Sequence, residues 1–387
     1  MNFLKSGLIK WAAESIHGEL AGTQGDVAKL RKEAERLRNE VTALQKELSS
    51  LREELSRSAE LVDEQGRPNL NSIWARAKNE RFLVWNIKNF GYQMARELAA
   101  KRASGPGVLT SVPVASKVAT QADIESPWFA YWCAQLGIPV VYHRKFWEYC
   151  FLLQTLHDEN LLVPGAKGLG FACGQEPIPS YLSSRGLYIR ASDQAPEKAL
   201  AQGWTETREH ASSIDHLWHE HLVSREQFDR TVSFEFINMN QVPRIGVFDF
   251  CWSICSLEHL GSIALGLDFI ENSLDTLRPG GVAIHTMEYN IDNEGATIDN
   301  WVTVLFQRKH IESIAERLAR KGHQVAPLNF DCGDGPMDDF IDIPPYALDR
   351  LLNDASAARK QQHPSHLKLA IDGFACTCFG LVIRKKM

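Results

Sequence analysis

The sequence predicts a long N-terminal α-helical coiled coil, then an α/β domain with a doubly wound, mostly parallel seven-stranded sheet. Three observations carry this. Apolar residues between Val27 and Val62 recur at alternating steps of three and four. From Lys167 onward, strand-like runs alternate with helical runs, the order of a sheet covered on both faces. The stretch KGLGFACGQEPIPSYLSSRGLYIRASD, Lys167 to Asp193, sets a glycine-rich turn between a strand and a helix. It ends the next strand on an acid, the layout of a nucleotide-type cofactor site.

Composition bounds the rest. A chain of 387 residues allows one large domain with an appendage, or two domains. An apolar fraction of 44% supports a real core. A net charge of -6 argues against nucleic acid as a partner, because phosphates call for a basic face. The eight cysteines form no CxxC pair; the closest spacings are Cys251 with Cys255 and Cys376 with Cys378. They read as reduced, packed thiols of a cytoplasmic protein. No eighteen-residue apolar run predicts a membrane span, and the N-terminus lacks a signal-peptide pattern.

In chain order, residues 1–22 place Phe3, Leu4, Leu8, Trp11, Ala12 and Ile16 near one helical face, with Lys5 and Lys10 as the basic side chains. That face suits a peripheral anchor at the inner side of a membrane, and equally a dock on a partner protein or on the chain's own mate. Residues 23–65 form the coil. Val27, Ala34, Val41, Leu48 and Leu55 take the a positions, and Leu30, Leu37, Leu44 and Leu51 take d. In a parallel pair, Glu33 meets Arg38 and Glu47 meets Arg52 of the mate. The coil therefore predicts a homo-oligomer about 50 Å long, with two strands favoured over three. A lone helix lying on the globular domain would carry a wider apolar stripe. Gly66-Arg67-Pro68 breaks the coil. Residues 66–122 then read as an aromatic-rich helix from Leu70 to Lys101 and an extended arm from Val108 to Ala122. The globular domain is 123–387.

Within it, Gly168, Gly170 and Gly174 would let backbone approach a ligand, and Asp193 would accept hydrogen bonds from both hydroxyls of a ribose. Val232 to Asn240 is a third strand. Phe248 to Leu260 is a fourth strand entering a helix over Gly261 to Leu277, and LRPGG turns into a fifth. A helix over Arg308 to Arg320, a strand in GHQVAPLNF and a last strand in GFACTCFGLVIRKK complete the domain. Ligands of such sheets lie outside the carboxyl ends of the strands. A dinucleotide needs N–H donors at the following helix. Here Gln175, Glu176, Pro177 and Pro179 stand instead, and a carboxylate with two prolines suits a diphosphate poorly.

The order of glycine-rich turn, strand-two acid, FDFCWSICSLEHL and LRPGG resembles class I S-adenosylmethionine-dependent methyltransferases over 123–387. The resemblance implies that Gly168, Gly170 and Gly174 line the methionine and ribose of S-adenosylmethionine. It implies that Asp193 holds the ribose with Gln194 beside it, that Met239 and Asn240 flank adenine, and that Ser253 lies near the sulfonium. The family turn is DxGxGxG; here Gly170 stands where an acid is common and Ala172 replaces a glycine, so Glu176 or a water would take the place of the lost carboxylate. The domain also resembles bacterial polysaccharide and O-antigen methyltransferases in which a coiled coil joins a chain-terminating enzyme to a membrane-bound polymerase. That implies O-methylation of a sugar hydroxyl or a phosphate at a glycan end, with a glycan polymerase or glycosyltransferase as partner. A small-metabolite methyltransferase and an inactive coiled-coil scaffold are the alternatives.

Transfer to a hydroxyl needs alignment and a base. The candidates at strand ends are His259, Glu288 and His285; strand alternation sets His285 and Glu288 on opposite faces. His143, Arg144 and Lys145 would contact an anionic substrate or coat a helix, with coating favoured. In DHLWHEHL, His216 and Glu220 have zinc spacing on a helix, but no third ligand is evident and no metal is expected. Residues Asp331 to Gln362 read as a substrate lid that reaches the site through Asp342 or Tyr346.

Overall fold

The computed structural model describes residues 31–51, 67–101, 105, 107–196, 210–344, 346 and 365–387. The amphipathic start, both ends of the heptad run and residues 347–364 of the expected lid lie outside the described residues. The chain divides into two compact units, Met1–Leu83 and Val84–Met387.

In the first unit residues 31–51 form one α-helix, α1, rich in good helix formers and free of glycine and proline. Arg36 pairs with Glu33 at 2.8 Å along it. Leu37, Val41, Leu44, Leu48 and Leu51 are 49–62% exposed, so this part of the heptad seam is uncovered among the described residues. Helix α2 runs from Leu70 to Ala100, close to the predicted span, and Asn69 caps it by accepting from Ser72 N.

The second unit holds the sheet. Its elements are β1 (Ser116–Val118), α3 (Gln121–Ile124), α4 (Pro127–Leu136), α5 (Arg144–Asp158), β2 (Lys167–Phe171), α6 (Ile178–Ser184), β3 (Tyr188–Asp193), α7 (Arg225–Thr231), β4 (Val232–Phe236) and β5 (Phe248–Ser253). Then come α8 (Ile263–Ser273), β6 (Leu277–Asn290), α9 (Arg308–Arg320), β7 (Gln324–Val325), β8 (Leu328–Asn329), α10 (Pro336–Asp339), β9 (Ile341–Asp342), β10 (Lys368–Ile371) and β11 (Phe374–Arg384). The main order is β4-β3-β2-β5-β6-β11-β1-β8.

The expected seven-stranded, mostly parallel sheet is corrected to a mixed sheet of eleven strands. Strands β4, β3, β2, β5 and β6 are parallel, each returned by a connection across a face. The mixed half has two causes. β10 and β11 form a hairpin closed by Asp372 and Gly373, both at positive φ, and β11 pairs antiparallel with β6. The extended arm also supplies β1, which pairs with β11 and β8 instead of staying free.

Two apolar cores sandwich the sheet. One packs α4, α5 and α6 on Phe250, Trp252, Ile284 and Val382. The other packs α8 and α9 on Leu169, Phe171, Cys251, Met287 and Phe379. On β6, even-numbered residues face the first core and odd-numbered ones the second. Gly380 has no Cβ because the Phe151 ring of α5 fills that space.

The helix expected over the 216–220 histidines is absent. A 3-10 turn covers Ile214–Leu217, and His216, His219 and His221 each bond a protein group: Ser212 N, Gln175 O and Leu136 O. His216 and Glu220 therefore do not share a helical face.

Candidate functional site

The strand order reverses between β2 and β5, and the region outside their carboxyl ends is where sheets of this topology leave a ligand crevice. After β2 the chain turns sharply, with Ala172 at φ 47° and Gly174 at φ 53°. Cys173 N donates to Ser192 O at 2.8 Å, which fixes this turn to β3.

Gly168 and Gly170 are held bare by packing. A Cβ on Gly168 would meet the Phe250 ring at 2.4 Å. One on Gly170 would meet Cys173 Sγ and the Trp252 ring at 2.4 Å each. Both spaces are taken by the protein itself, so packing alone requires glycine at these two positions.

Asp193 ends β3 as predicted, at 6% exposure. Its Oδ2 accepts from Gly174 N at 3.2 Å and Ala211 N at 2.9 Å, and its Oδ1 from Gln194 N at 2.7 Å. A carboxylate offers about four acceptor sites, so one remains, on Oδ1. The expected grip on two ribose hydroxyls is thus reduced to one. Burial pushes the carboxyl pKa up against these three N–H groups. Gln194 is half-buried beside it, and His210 Nε2 lies 2.8 Å from Gln194 O. Met239 is buried at the end of the β4 segment, while Asn240 is exposed and donates to Leu260 O.

Glu176 is buried where the next helix begins. Its Oε1 accepts from Trp252 Nε1 at 2.7 Å, and burial raises its pKa to about 8. α6 itself starts at Ile178 behind Pro177, with no side-chain cap. Its entrance therefore presents a carboxyl group and a proline in place of donors.

The base candidates separate. His285 is fully buried on the α8 side: Nδ1 meets Ser253 Oγ at 2.8 Å and Nε2 meets Ser273 Oγ at 3.0 Å. Desolvation lowers its pKa to about 3. Both ring nitrogens are committed to serines, and Ser253 is committed to His285, so neither faces an acceptor. His259, in a 3-10 turn after β5, lies 3.0 Å from Val302 O through Nδ1, and burial lowers its pKa to about 4.

Glu288 is different. It projects from β6 toward α5 into a buried polar cluster that joins four elements. Arg144 of α5 pairs with Glu288 and donates to Cys255 Sγ at 3.3 Å and Cys378 Sγ at 3.5 Å. Glu148, one turn along α5, accepts from Thr286 Oγ1 of β6, and Lys145 Nζ stands 3.8 Å from it. Glu258, next to His259, turns the opposite way from its neighbour and is fully buried. Cys255, Glu258 and Glu288 offer polar atoms all within 4.8 Å of one another, as do Glu148, Cys255 and Cys378. Such spacing could hold a metal ion, but the Arg144 guanidinium already bonds Glu288 and both thiols.

Arg144 and Lys145 therefore point inward instead of coating α5. Glu148 and Glu258 were missed in the sequence, where SLEHL drew attention to the histidine rather than the glutamate before it. Asp342, expected on the lid, is buried. It accepts from Lys88, from Tyr92 OH at 3.0 Å and from Ile343 N at 3.0 Å, and lies 2.9 Å from His366 Nδ1. Tyr346 packs edge-on against the His366 ring at 4.5 Å between centroids.

No family model and no curated protein matches the chain. Solved structures do resemble its fold. An S-adenosylmethionine-dependent methyltransferase from Mesorhizobium loti is 12% identical, covering 60% of this chain and 96% of its own, with a TM-score of 0.32. Magnesium protoporphyrin IX methyltransferase from Synechocystis, with bound SAH, is 11% identical over 61% of this chain and 80% of its own, at 0.34. An S-adenosylmethionine-dependent methyltransferase from Clostridium acetobutylicum is 11% identical over 61% and 89%, at 0.32. Likeness at this level leaves activity to be argued from the site.

Proposed function

We propose that the chain is an S-adenosylmethionine-dependent methyltransferase acting on a hydroxyl or phosphate oxygen at a glycan end, with the coiled coil setting oligomeric state and spacing. One observation carries it: the crevice at the strand-order reversal is closed to a diphosphate by Glu176 and Pro177, yet keeps the Gly174 turn and Asp193 on its rim. A nucleoside carrying an amino-acid tail meets no such obstacle. S-adenosylmethionine, when bound, would supply an electrophilic methyl group. Gly174, Asp193 Oδ1 and Gln194 would hold its ribose side, Met239 and Asn240 its base, and Glu176 its amino group. Ser253, whose hydroxyl lies 2.8 Å from His285 Nδ1, would end β5 near its sulfonium.

The exposed seam of α1 supports self-pairing, because five large apolar side chains there are uncovered among the described residues. No helix of the described residues is long and apolar enough to cross a membrane, so contact with a membrane-bound polymerase would be made through residues 1–20 or the coil.

Isothermal titration of the full chain with S-adenosylmethionine, S-adenosylhomocysteine and NADH tests this. Saturable binding of the first two and none of NADH is expected. Binding of NADH alone points to a dehydrogenase, and binding of none points to a scaffold.

A further inference from the structure

We propose that the buried cluster of Glu148, Glu258 and Glu288 around Arg144 is the acceptor subsite, that it takes an uncharged polyhydroxyl acceptor rather than a phosphate, and that Glu258 receives the hydroxyl proton. The proposal rests on the methyl-transfer reading above and narrows it.

The first support is where polar groups lack partners. Among the described residues, nine buried side-chain nitrogen or oxygen atoms have no hydrogen-bond partner in the protein. Six of them lie in or beside this cluster: Arg144 Nε, Glu148 Oε1, Ser256 Oγ, both Glu258 carboxylate oxygens and Glu288 Oε2. Buried polar groups are otherwise paired almost without exception, so such a concentration marks atoms held ready for a ligand.

The second support is the kind of atom. Four of the six are carboxylate oxygens, which accept hydrogen bonds when ionised, so the matching ligand must be rich in donors. A phosphate offers further acceptors and negative charge, and would place like charge beside Glu148 and Glu288. A cation is opposed by Arg144, bonded to Glu288 and both thiols, and by Lys145 beside Glu148. Hydroxyls satisfy the carboxylates without adding charge.

The third support is position. Glu258 follows the carboxyl end of β5, one side of the strand-order reversal, while Glu288 approaches the same end of the parallel neighbour β6. Neither Glu258 oxygen reaches a partner on another residue, and its pKa is raised to about 8 by burial and then by the Glu288 charge. Glu148 and Glu288 push it up, and Lys145 opposes them. In the step itself the acceptor oxygen bonds the methyl carbon, and the electron pair of the broken S–C bond stays on sulfur. The hydroxyl proton passes to the Glu258 carboxylate, so the positive charge lost by sulfur leaves as that proton.

The full chain is incubated with labelled S-adenosylmethionine and a panel of methyl glycosides and linear neutral oligosaccharides, beside sugar 6-phosphates and inorganic phosphate. Transfer to neutral acceptors is expected, with the rate rising with pH towards 8. Glu258→Gln should lose roughly 10²-fold or more in kcat/KM and flatten that rise, while its melting temperature stays equal or increases, because it removes an unpaired buried acid. Binding of S-adenosylmethionine should be unchanged in that variant. Transfer to phosphates alone, a requirement for added Mn²⁺, or a Glu258→Gln variant that melts lower with intact turnover each overturns the proposal. If S-adenosylmethionine binds and no neutral acceptor is methylated, the subsite falls and the cofactor reading stands. If S-adenosylmethionine does not bind, the broader reading falls first.

Discussion

Trp252 Nε1 donates a 2.7 Å hydrogen bond to Glu176 Oε1, and this contact ties the end of β5 to the turn after β2 across the strand-order reversal. The same indole packs over Gly170, so one side chain sets both the floor of the crevice and the carboxyl group at its mouth.

Glu176→Gln keeps an acceptor for the indole and should fold normally. Glu176→Ala strands a buried N–H and should lose about 1–3 kcal/mol in urea unfolding. Because the folded pKa of about 8 lies above that of an unfolded glutamate, the folded state holds the extra proton between the two. The contribution is complete below the unfolded value and is lost as pH rises through about 8. Melting curves across that range should fall less steeply for Glu176→Gln than for wild type.

Gly170→Ala should destabilise by about 1–3 kcal/mol, since its Cβ would overlap Cys173 and Trp252 in a packed interior. A variant with an unchanged melting temperature but weakened S-adenosylmethionine binding would instead return this glycine to the ligand.

His285→Ala should cost stability through a cavity and a stranded Ser253 hydroxyl, while Ser273 Oγ keeps its bond to Ile270 O. It should not remove an ionisation from the pH–rate profile between pH 5 and 9. With a folded pKa of about 3, well below that of an unfolded histidine, its contribution is present above roughly pH 6.5 and is lost as pH falls towards 3. Acid unfolding monitored by circular dichroism should show this part of the slope vanish in a His285→Phe variant.

Leu37→Asp combined with Leu44→Asp should convert an oligomer to a monomer in light scattering, because aspartate in the d seam is buried only when helices pair. An unchanged mass would place self-association elsewhere.

Local chemistry was legible in the sequence where it is decided by neighbours along the chain. The heptad run and its lack of glycine predicted helix over residues now seen in α1. The turn at Gly174, the acid ending β3 and the span of α2 also follow from short-range rules. The last strand was legible too, but its Asp372-Gly373 hairpin with β10 was not read from the sequence.

What the sequence alone determined, then, is the kind of element at each place and the two faces of each strand. Period and turn residues act over a few bonds, which is why His285 and Glu288 could be set on opposite faces of β6. Only the tertiary structure decided which faces meet. Arg144 and Glu148 lie more than a hundred residues from Cys255, Glu258 and Glu288, and more than two hundred from Cys378. They form one buried cluster because α5 packs across β6 and β11. Burial then decides which acid carries charge and which glycine must stay bare, because both depend on atoms brought close by packing.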